Sequence, residues 1–482
     1  MQKAFDELYQ QSKNGNNFYK LLEIIGSEQN ICLAYRNLKT NSGSKTAGTD
    51  GKTIEDIKGL SDREVIETVR KQLADYHPQS VRRVFIPKPG SDKKRPLGIP
   101  CIWDRLIQQC ILQVLEPICE PKFHNHSYGF RQNRDAHHAV SRVVSMVNMY
   151  KHYYCVDVDI KGFFDNVNHS KLIRQIWTMG IQDKHLIYII KKILKAPIRM
   201  PDGSVVLPRK GTPQGGIISP TLANMALDGL QPLLAERFKR RFINYKTFHY
   251  KVNLIRYADD FIITGRDKEL LENEVKPMVI EFLKERGLTL SEEKTTITNI
   301  YDGFDFLGFN VRKFGKRLYT SPSKDAQKRF RAKISDIVKG HKMCKQESLI
   351  RMLNPVITGW GNYYRYGAST NAFHGCDNHI YNLTKKWALR RHPKKRKSWV
   401  ADKYWHEIRG RKWTFAWKYE TKSKKVNYLT LKRLSDIHYT PYKQVKGEAN
   451  PFDPEYDDYF FQRKEQQMLE SLKGRKSLLY LW

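Results

Sequence analysis

Residues 256–265 read RYADDFIITG. An aspartate pair inside an apolar, β-branched run constrains what this chain can fold into more than any other feature. Asp is disfavoured within strands. Adjacent strand residues point to opposite faces, so a register that buries one Asp exposes the other. Two carboxylates about 4 Å apart repel by roughly 4 kcal/mol at an effective dielectric near 20. The least strained solution is a tight hairpin: strand Leu254–Tyr257 leads in, the Asp pair sits at the tip, and strand Phe261–Thr264 leads out. An ordinary polar hairpin tip would sit among polar neighbours, whereas the flanks here are Tyr257, Ala258, Phe261, Ile262 and Ile263. A cation would relieve the repulsion, and hard divalent cations take oxygen ligands.

A further carboxylate comes from YYCVDVDIKGFFDNVNH (153–169), which reads as a buried strand running into a turn. Val156, Val158 and Ile160 share one face, and Asp157 and Asp159 share the other. Asp159 is the choice because Ile160 and the Lys161-Gly162-Phe163-Phe164 turn follow it directly; Asp157 stays open as its competitor. Asp165 reads as a turn or cap residue. Three carboxylates from two strand ends can hold two Mg²⁺ ions, with Mn²⁺ as an alternative, about 3.5–4 Å apart, one activating an attacking oxygen and the other holding a leaving group. That is the chemistry of nucleotidyl transfer.

The charge balance names the class of partner. The chain has 482 residues, enough for two or three domains, and a net charge of +35. Such an excess points to a polyanion. Residues 311–450 hold 34 Lys+Arg against 9 Asp+Glu, and six of the nine tryptophans: Trp360, Trp387, Trp399, Trp405, Trp413 and Trp417. Cations mixed with planar aromatics suit phosphate backbones and unstacked bases; the plainer reading of any one Trp is an aromatic core under a solvated basic face. The seven cysteines form no CxxC pair, which argues against a zinc site and for free thiols in a reducing compartment. No signal peptide and no run of about 18 apolar residues is evident, so no membrane partner is expected.

Along the chain, residues 1–40 carry helical spacing, and 81–100 read as a strand, a cationic Pro/Gly turn and a second strand. Residues 103–121 form an amphipathic helix, and 127–147 a Gly turn followed by a helix that would carry Arg131, Arg134 and His137, to which no chemistry is assigned. Residues 207–230 are a Gly/Pro loop leading into a helix from about Ser219. After about 320 the pattern turns helical, and 392–450 shows no readable periodicity.

Seven blocks then fall in order: RPLGIP (95–100), YGFR (128–131), DIKGFFDNVNH (159–169), GTPQGGIISPTLANMAL (211–227), RYADD (256–260), LSEEKT (290–295) and FDFLGF (304–309). Together they resemble reverse transcriptases of the group II intron-encoded type. LNPVITGWGNYYRY (353–366) resembles the thumb, or maturase, helices of that family, and ANPFDPEYDDYFFQRK (449–464) its later DNA-binding region. The resemblance implies an α+β fold: a right-hand polymerase with fingers and an antiparallel palm sheet over 1–312, a helical thumb over 313–390, and a basic DNA-binding extension over 391–482. It implies that Asp159, Asp259 and Asp260 bind the catalytic metals with the Ile160 carbonyl. Lys88 and Arg95 would hold the incoming triphosphate, as cations beside a turn suit phosphate. Phe164 would sit under the sugar and exclude a 2′-hydroxyl, which favours dNTPs. Gln214 and Gly215 would contact nucleotide and template, Lys294 would donate a proton to pyrophosphate, and Leu307, Gly308 and Phe309 would grip the primer.

The implied partners are an intron RNA template, a DNA primer or target, and dNTPs. The implied activity is RNA-directed DNA synthesis with splicing assistance and a part in retrohoming. A role mainly as a splicing cofactor, a retron- or defence-type reverse transcriptase, and an RNA-dependent RNA polymerase are the rival readings; YADD and Phe164 argue against the last. Many relatives continue into a Cys-rich HNH nuclease, whose Cys pairs are not found here, so DNA cleavage by that route is not expected.

Overall fold

The computed structural model describes residues 1–87, 94–150, 153–243, 245–421 and 424–472. Lys88 lies outside the described residues. By packing, the chain forms two units. The first gathers Met1–Arg142, Tyr154–Ile297 and the chain from Gln444 on; the second gathers Val143–Tyr153 and Thr298–Lys443. These divisions differ from the functional boundaries expected at 312 and 390, because the helices after 320 share one packed body with the strands on either side of them.

In the first unit, the helix Ile102–Cys119 is buried nearly all round, polar residues included, and therefore central. Helices Gln2–Lys13 and Glu28–Thr40 pack on it. Its buried polar groups are spent on neighbours: Asp104 accepts from the Tyr76 hydroxyl at 2.7 Å, and Gln108 Oε1 accepts from the Ile217 amide at 2.9 Å. Strands Val81–Pro87 and Lys94–Ile99 pair antiparallel, as expected. The C-terminal NPFDP run is anchored here. Asn450 donates to Glu120, Phe452 packs edge-on against Phe5, and Asp453 pairs with Lys13. All three are buried, so these motif residues fasten the segment and present no side chain outward.

The sheet that carries the aspartates is ordered Thr296–Asn299, Tyr154–Val158, Asp260–Gly265, Asn253–Tyr257. Val158 pairs with Phe261, and Tyr257 with Asp260, both antiparallel. Phe261, Ile262 and Ile263 are buried, each contributing about 1.5–3 kcal/mol. A one-residue slip would draw the Asp260 carboxylate into that interior, where an unpaired charge is costly, so the register is well determined.

In the second unit, hairpin Phe304–Phe306/Phe309–Phe314 continues into strand Arg317–Pro322. Helices Lys324–Gly340, Gln346–Tyr364 and Thr370–Arg391 follow. Where no periodicity was readable, a three-stranded antiparallel sheet forms from Trp405–Ile408, Arg411–Glu420 and Val426–Thr430. Its signal was the alternation Trp413, Phe415, Trp417, Tyr419, a period of two interleaved with Thr414, Ala416 and Lys418.

Candidate active site

The expected hairpin forms, with one adjustment. Ala258 and Asp259 are the two turn residues, and Asp260 already belongs to the outgoing strand, opposite Tyr257. Ala258 adopts φ 59°, the left-handed region that such turns require and that a non-Gly residue enters at a cost of order 1–3 kcal/mol. The surroundings hold it there. Backbone bonds run from Tyr128 N to Arg256 O at 2.8 Å and from Arg256 N to His126 O at 2.9 Å. Gly129 approaches so closely that a Cβ would stand 2.3 Å from Ala258 N. Asn224 Nδ2 donates to Gly129 O at 2.8 Å. The YGFR block is therefore a brace behind the aspartates.

Asp159 directly follows Val158, whose partner Phe261 directly follows Asp260. Asp159 and Asp259 are half-buried and Asp260 is exposed. Asp157 stands two residues back, opposite Ile262 in the middle of the sheet. Ile160 is buried and bridges Leu290, while Ser291 N donates to Asp159 O at 2.8 Å. That pairing delivers the turn carrying Lys294, whose ammonium bonds the Asp159 carboxylate. The Asp159 hydrogen bond and charge, with help from Asp260, hold the Lys294 pKa above its usual value.

The loop 211–216 packs on the turn that follows Asp159. Thr212 N donates to Phe164 O at 2.7 Å and Gly98 N to Gln214 O at 2.6 Å. Gly215 has φ 114°, and a Cβ there would stand 2.4 Å from Gly98 O, so only glycine fits. Gln214 Nε2 reaches Asp165 Oδ2 at 3.5 Å. Arg95 is exposed on its strand, paired with Ile86. Two neighbours were not singled out from sequence. The Phe130 ring, 46% exposed, packs edge-on against Phe164 at 6.4 Å between centroids. Arg83, opposite Gly98, is the cation that faces Asp165. Both sit in recognisable blocks, but their exposure and orientation depend on packing.

The three basic residues expected on one helix divide. Arg131 and Arg134 precede helix Ala136–Tyr150 and only His137 is on it. Arg131 is buried and bonds Glu120 through Nε and a terminal nitrogen, the shortest contact at 2.7 Å, as well as the His124 and Ser127 carbonyls. Its role is structural because the Gly129 turn folds it inward. Burial, with Arg142 next, lowers the His126 pKa to about 3; burial, with Arg131 next, lowers that of His124 to about 4. Burial also lowers Arg256 to about 10, against the Asp228 charge.

The donor set fits a hard divalent cation in kind: carboxylate oxygens at a strand end and a hairpin tip, with a lysine ammonium already seated on one of them. Among the described residues, no three His, Cys, Asp or Glu side chains converge closely enough to hold an ion by themselves.

Family models match in two places. Residues 86–311 match reverse transcriptase (RNA-dependent DNA polymerase), and residues 327–405 match the group II intron maturase-specific domain. The chain is 31% identical over 323 residues to protein YkfC of Escherichia coli K12, covering 61% of this chain and 82% of that one. This chain belongs to the group II intron-encoded reverse transcriptase and maturase family. It is also 32% identical over 336 residues to the group II intron-encoded protein LtrA of Lactococcus lactis subsp. cremoris, covering 58% of this chain. A fission-yeast protein encoded in the cob intron (Schizosaccharomyces pombe) is 28% identical over 466 residues, 80% of this chain. The chain spans about half the length of LtrA, 54%. Among the described residues, no helix is long and apolar enough to cross a membrane.

Proposed function

We propose that the protein is an RNA-directed DNA polymerase that adds dNTPs to a primer 3′-hydroxyl on an RNA template. The observation that carries this reading is the pairing of Val158 with Phe261, which brings the strand end leading to Asp159 against the strand that starts at Asp260, together with the Lys294 ammonium bonded to Asp159. In it, the first unit supplies fingers and palm, with the 81–99 hairpin as fingers and the aspartate sheet as palm; the helices after 323 are the thumb. Asp159, Asp259, Asp260 and the Ile160 carbonyl would hold Mg²⁺, which when bound lowers the pKa of the primer hydroxyl and neutralises charge on the leaving pyrophosphate.

The chain's own residues do the rest. Arg95 and Arg83, on paired strands, draw the triphosphate in by charge, with Lys88 a further cation in the sequence between them. Phe164, backed by Phe130, closes the space beside the sugar C2′. Gln214 and the backbone at Gly215 orient the nucleotide against the hairpin. Lys294, held as an ammonium by Asp159, is positioned to protonate pyrophosphate and competes with a metal for the same carboxylate. In the second unit, the 304–314 hairpin grips the primer. Its turn is Leu307 and Gly308, whose carbonyls accept from the Tyr363 and Tyr364 hydroxyls at 2.9 and 3.2 Å.

The test is primer extension on an RNA template with dNTPs and Mg²⁺, comparing wild type with Asp259→Ala. Extension by wild type alone is expected, with RNA binding equal in both; no extension by folded wild type overturns the reading. The maturase-specific match over 327–405 and the basic charge of that region favour a second activity, binding and stabilising intron RNA during splicing, which Asp259→Ala should retain.

A further inference from the structure

The second unit contains a cavity of about 330 Å³ between helix Thr370–Arg391 and the sheet 405–430, at the lower end of the size range of small-molecule sites. Its floor is aromatic. Trp405 and Phe415, both buried, meet at 5.1 Å between centroids. Its walls are aromatic and open: Trp413 is 64% exposed, and Tyr381, 37% exposed, stands edge-on to Trp405 at 6.1 Å. Lys432 and Arg433 line its mouth. The one carboxylate in the lining, Asp377, is turned to the backbone. Its two oxygens accept from the Leu434 and Ser435 amides at 2.9 Å each, so its charge is spent on capping that turn.

A solvent-facing indole that lines one cavity with a second exposed ring is an unusual use of surface. A core would have buried Trp413, and a solvated face would have replaced it. With cations at the mouth and a polar edge from Asn378 and His374, the geometry points to a site for one unstacked nucleotide of a single-stranded nucleic acid. The base stacks on Trp413 and Tyr381, its edge meets Asn378 and His374, and its phosphate meets Lys432 and Arg433. Stacking on aromatic rings with a cationic track is how single strands are held without a duplex. The surrounding charge, 34 Lys+Arg against 9 Asp+Glu over 311–450, excludes an acidic protein segment less well than it attracts one, so the aromatic slot is what selects a nucleobase. The site lies apart in sequence from the aspartates and does not depend on the polymerase reading.

The test uses the full chain and a short single-stranded RNA carrying a photoreactive iodouridine, with DNA of the same sequence as the second arm. Cross-links should map by mass spectrometry to the peptides carrying Trp413 or Tyr381. Trp413→Ala should remove them and weaken binding roughly 5- to 150-fold, the range that base–aromatic stacking corresponds to. Trp413→Phe should restore most of the affinity, and Lys432→Ala or Arg433→Ala should each lower the log–log salt slope by about one. RNA binding more tightly than DNA identifies RNA as the source of the nucleotide; equal binding assigns the pocket to either single strand. Unchanged affinity in Trp413→Ala, or Trp413→Phe behaving like Trp413→Ala, overturns the inference. A wild type that extends no primer yet loses RNA on Trp413→Ala would sink the polymerase reading and leave this one standing.

Discussion

Gly129→Ala should disable the active site without touching a proposed catalytic residue. A Cβ on Gly129 would stand 2.3 Å from Ala258 N, 2.9 Å from Tyr257 C and 3.0 Å from Ala258 Cα. All three are backbone atoms, so no flexible side chain can swing aside. Relieving the closest contact to 3.0 Å needs a shift of at least 0.7 Å between the two segments. Gly129 is tied on its own side by Asn224 and by the Tyr128–Arg256 backbone bond, so the Asp259–Asp260 hairpin must take part of the movement. A misplacement of about 1 Å at a reacting centre costs on the order of 100-fold, and 0.7 Å scales to roughly 25-fold. Stability should fall by about 1–3 kcal/mol, the usual range for overpacking. The assay is single-turnover primer extension alongside thermal unfolding. Gly359→Ala is the control: its Cβ would meet nothing within 4 Å inside helix Gln346–Tyr364, so it should be neutral or stabilising by up to about 1 kcal/mol. Gly129→Ala extending at the wild-type rate with an unchanged Tm would refute the claim that close approach sets the hairpin's position.

Arg131→Met should destabilise the protein by about 3–5 kcal/mol, because it strands the buried Glu120 carboxylate; chemical denaturation measures this, and adding Glu120→Leu should recover part of the loss. Phe164→Ala should raise the rNTP-to-dNTP ratio of kcat/KM by about 10-fold or more, and an unchanged ratio would remove Phe164 from sugar selection. His126 is held neutral in the fold, with its pKa lowered from 6.5 to about 3. The unfolded chain therefore binds more protons across that window, and stability falls as pH drops from 6.5 towards 3, by up to about 1.4 kcal/mol per pH unit. His126→Asn should make the decline shallower in urea melts. Glu116 has the opposite sign: raised by burial from 4.5 to about 7, it contributes stability at low pH that is lost as pH rises through about 7. The informative quantity is therefore the difference between wild type and variant.

The aspartate hairpin was legible because its chemistry is local: a charged pair between two apolar runs has few conformations that do not bury a charge. The Gly/Pro loop before Ser219 and the cationic hairpin of 81–99 were legible for the same reason, through turn residues. The sheet of 405–430 was not, because its alternation of rings covers only the middle strand and the short strands on either side of it carry no such pattern. Arg131 was misplaced because a helix and a tight turn both accept its neighbours, and only the Gly129 turn sends the guanidinium inward to Glu120.

The amino-acid sequence by itself determined the two strands of the aspartate hairpin, the tight turn between them, and the polyanionic nature of the partner, since each follows from residues near one another or from summed charge. Tertiary structure alone decided that Asp157 stands opposite Ile262 in the middle of the sheet while Asp159 lies past its strand's end, that Gly129 braces the hairpin, that Lys294 reaches Asp159, and that Trp413 borders a cavity. Those depend on register and close packing between segments far apart in the chain, and no local preference encodes a distance across the fold.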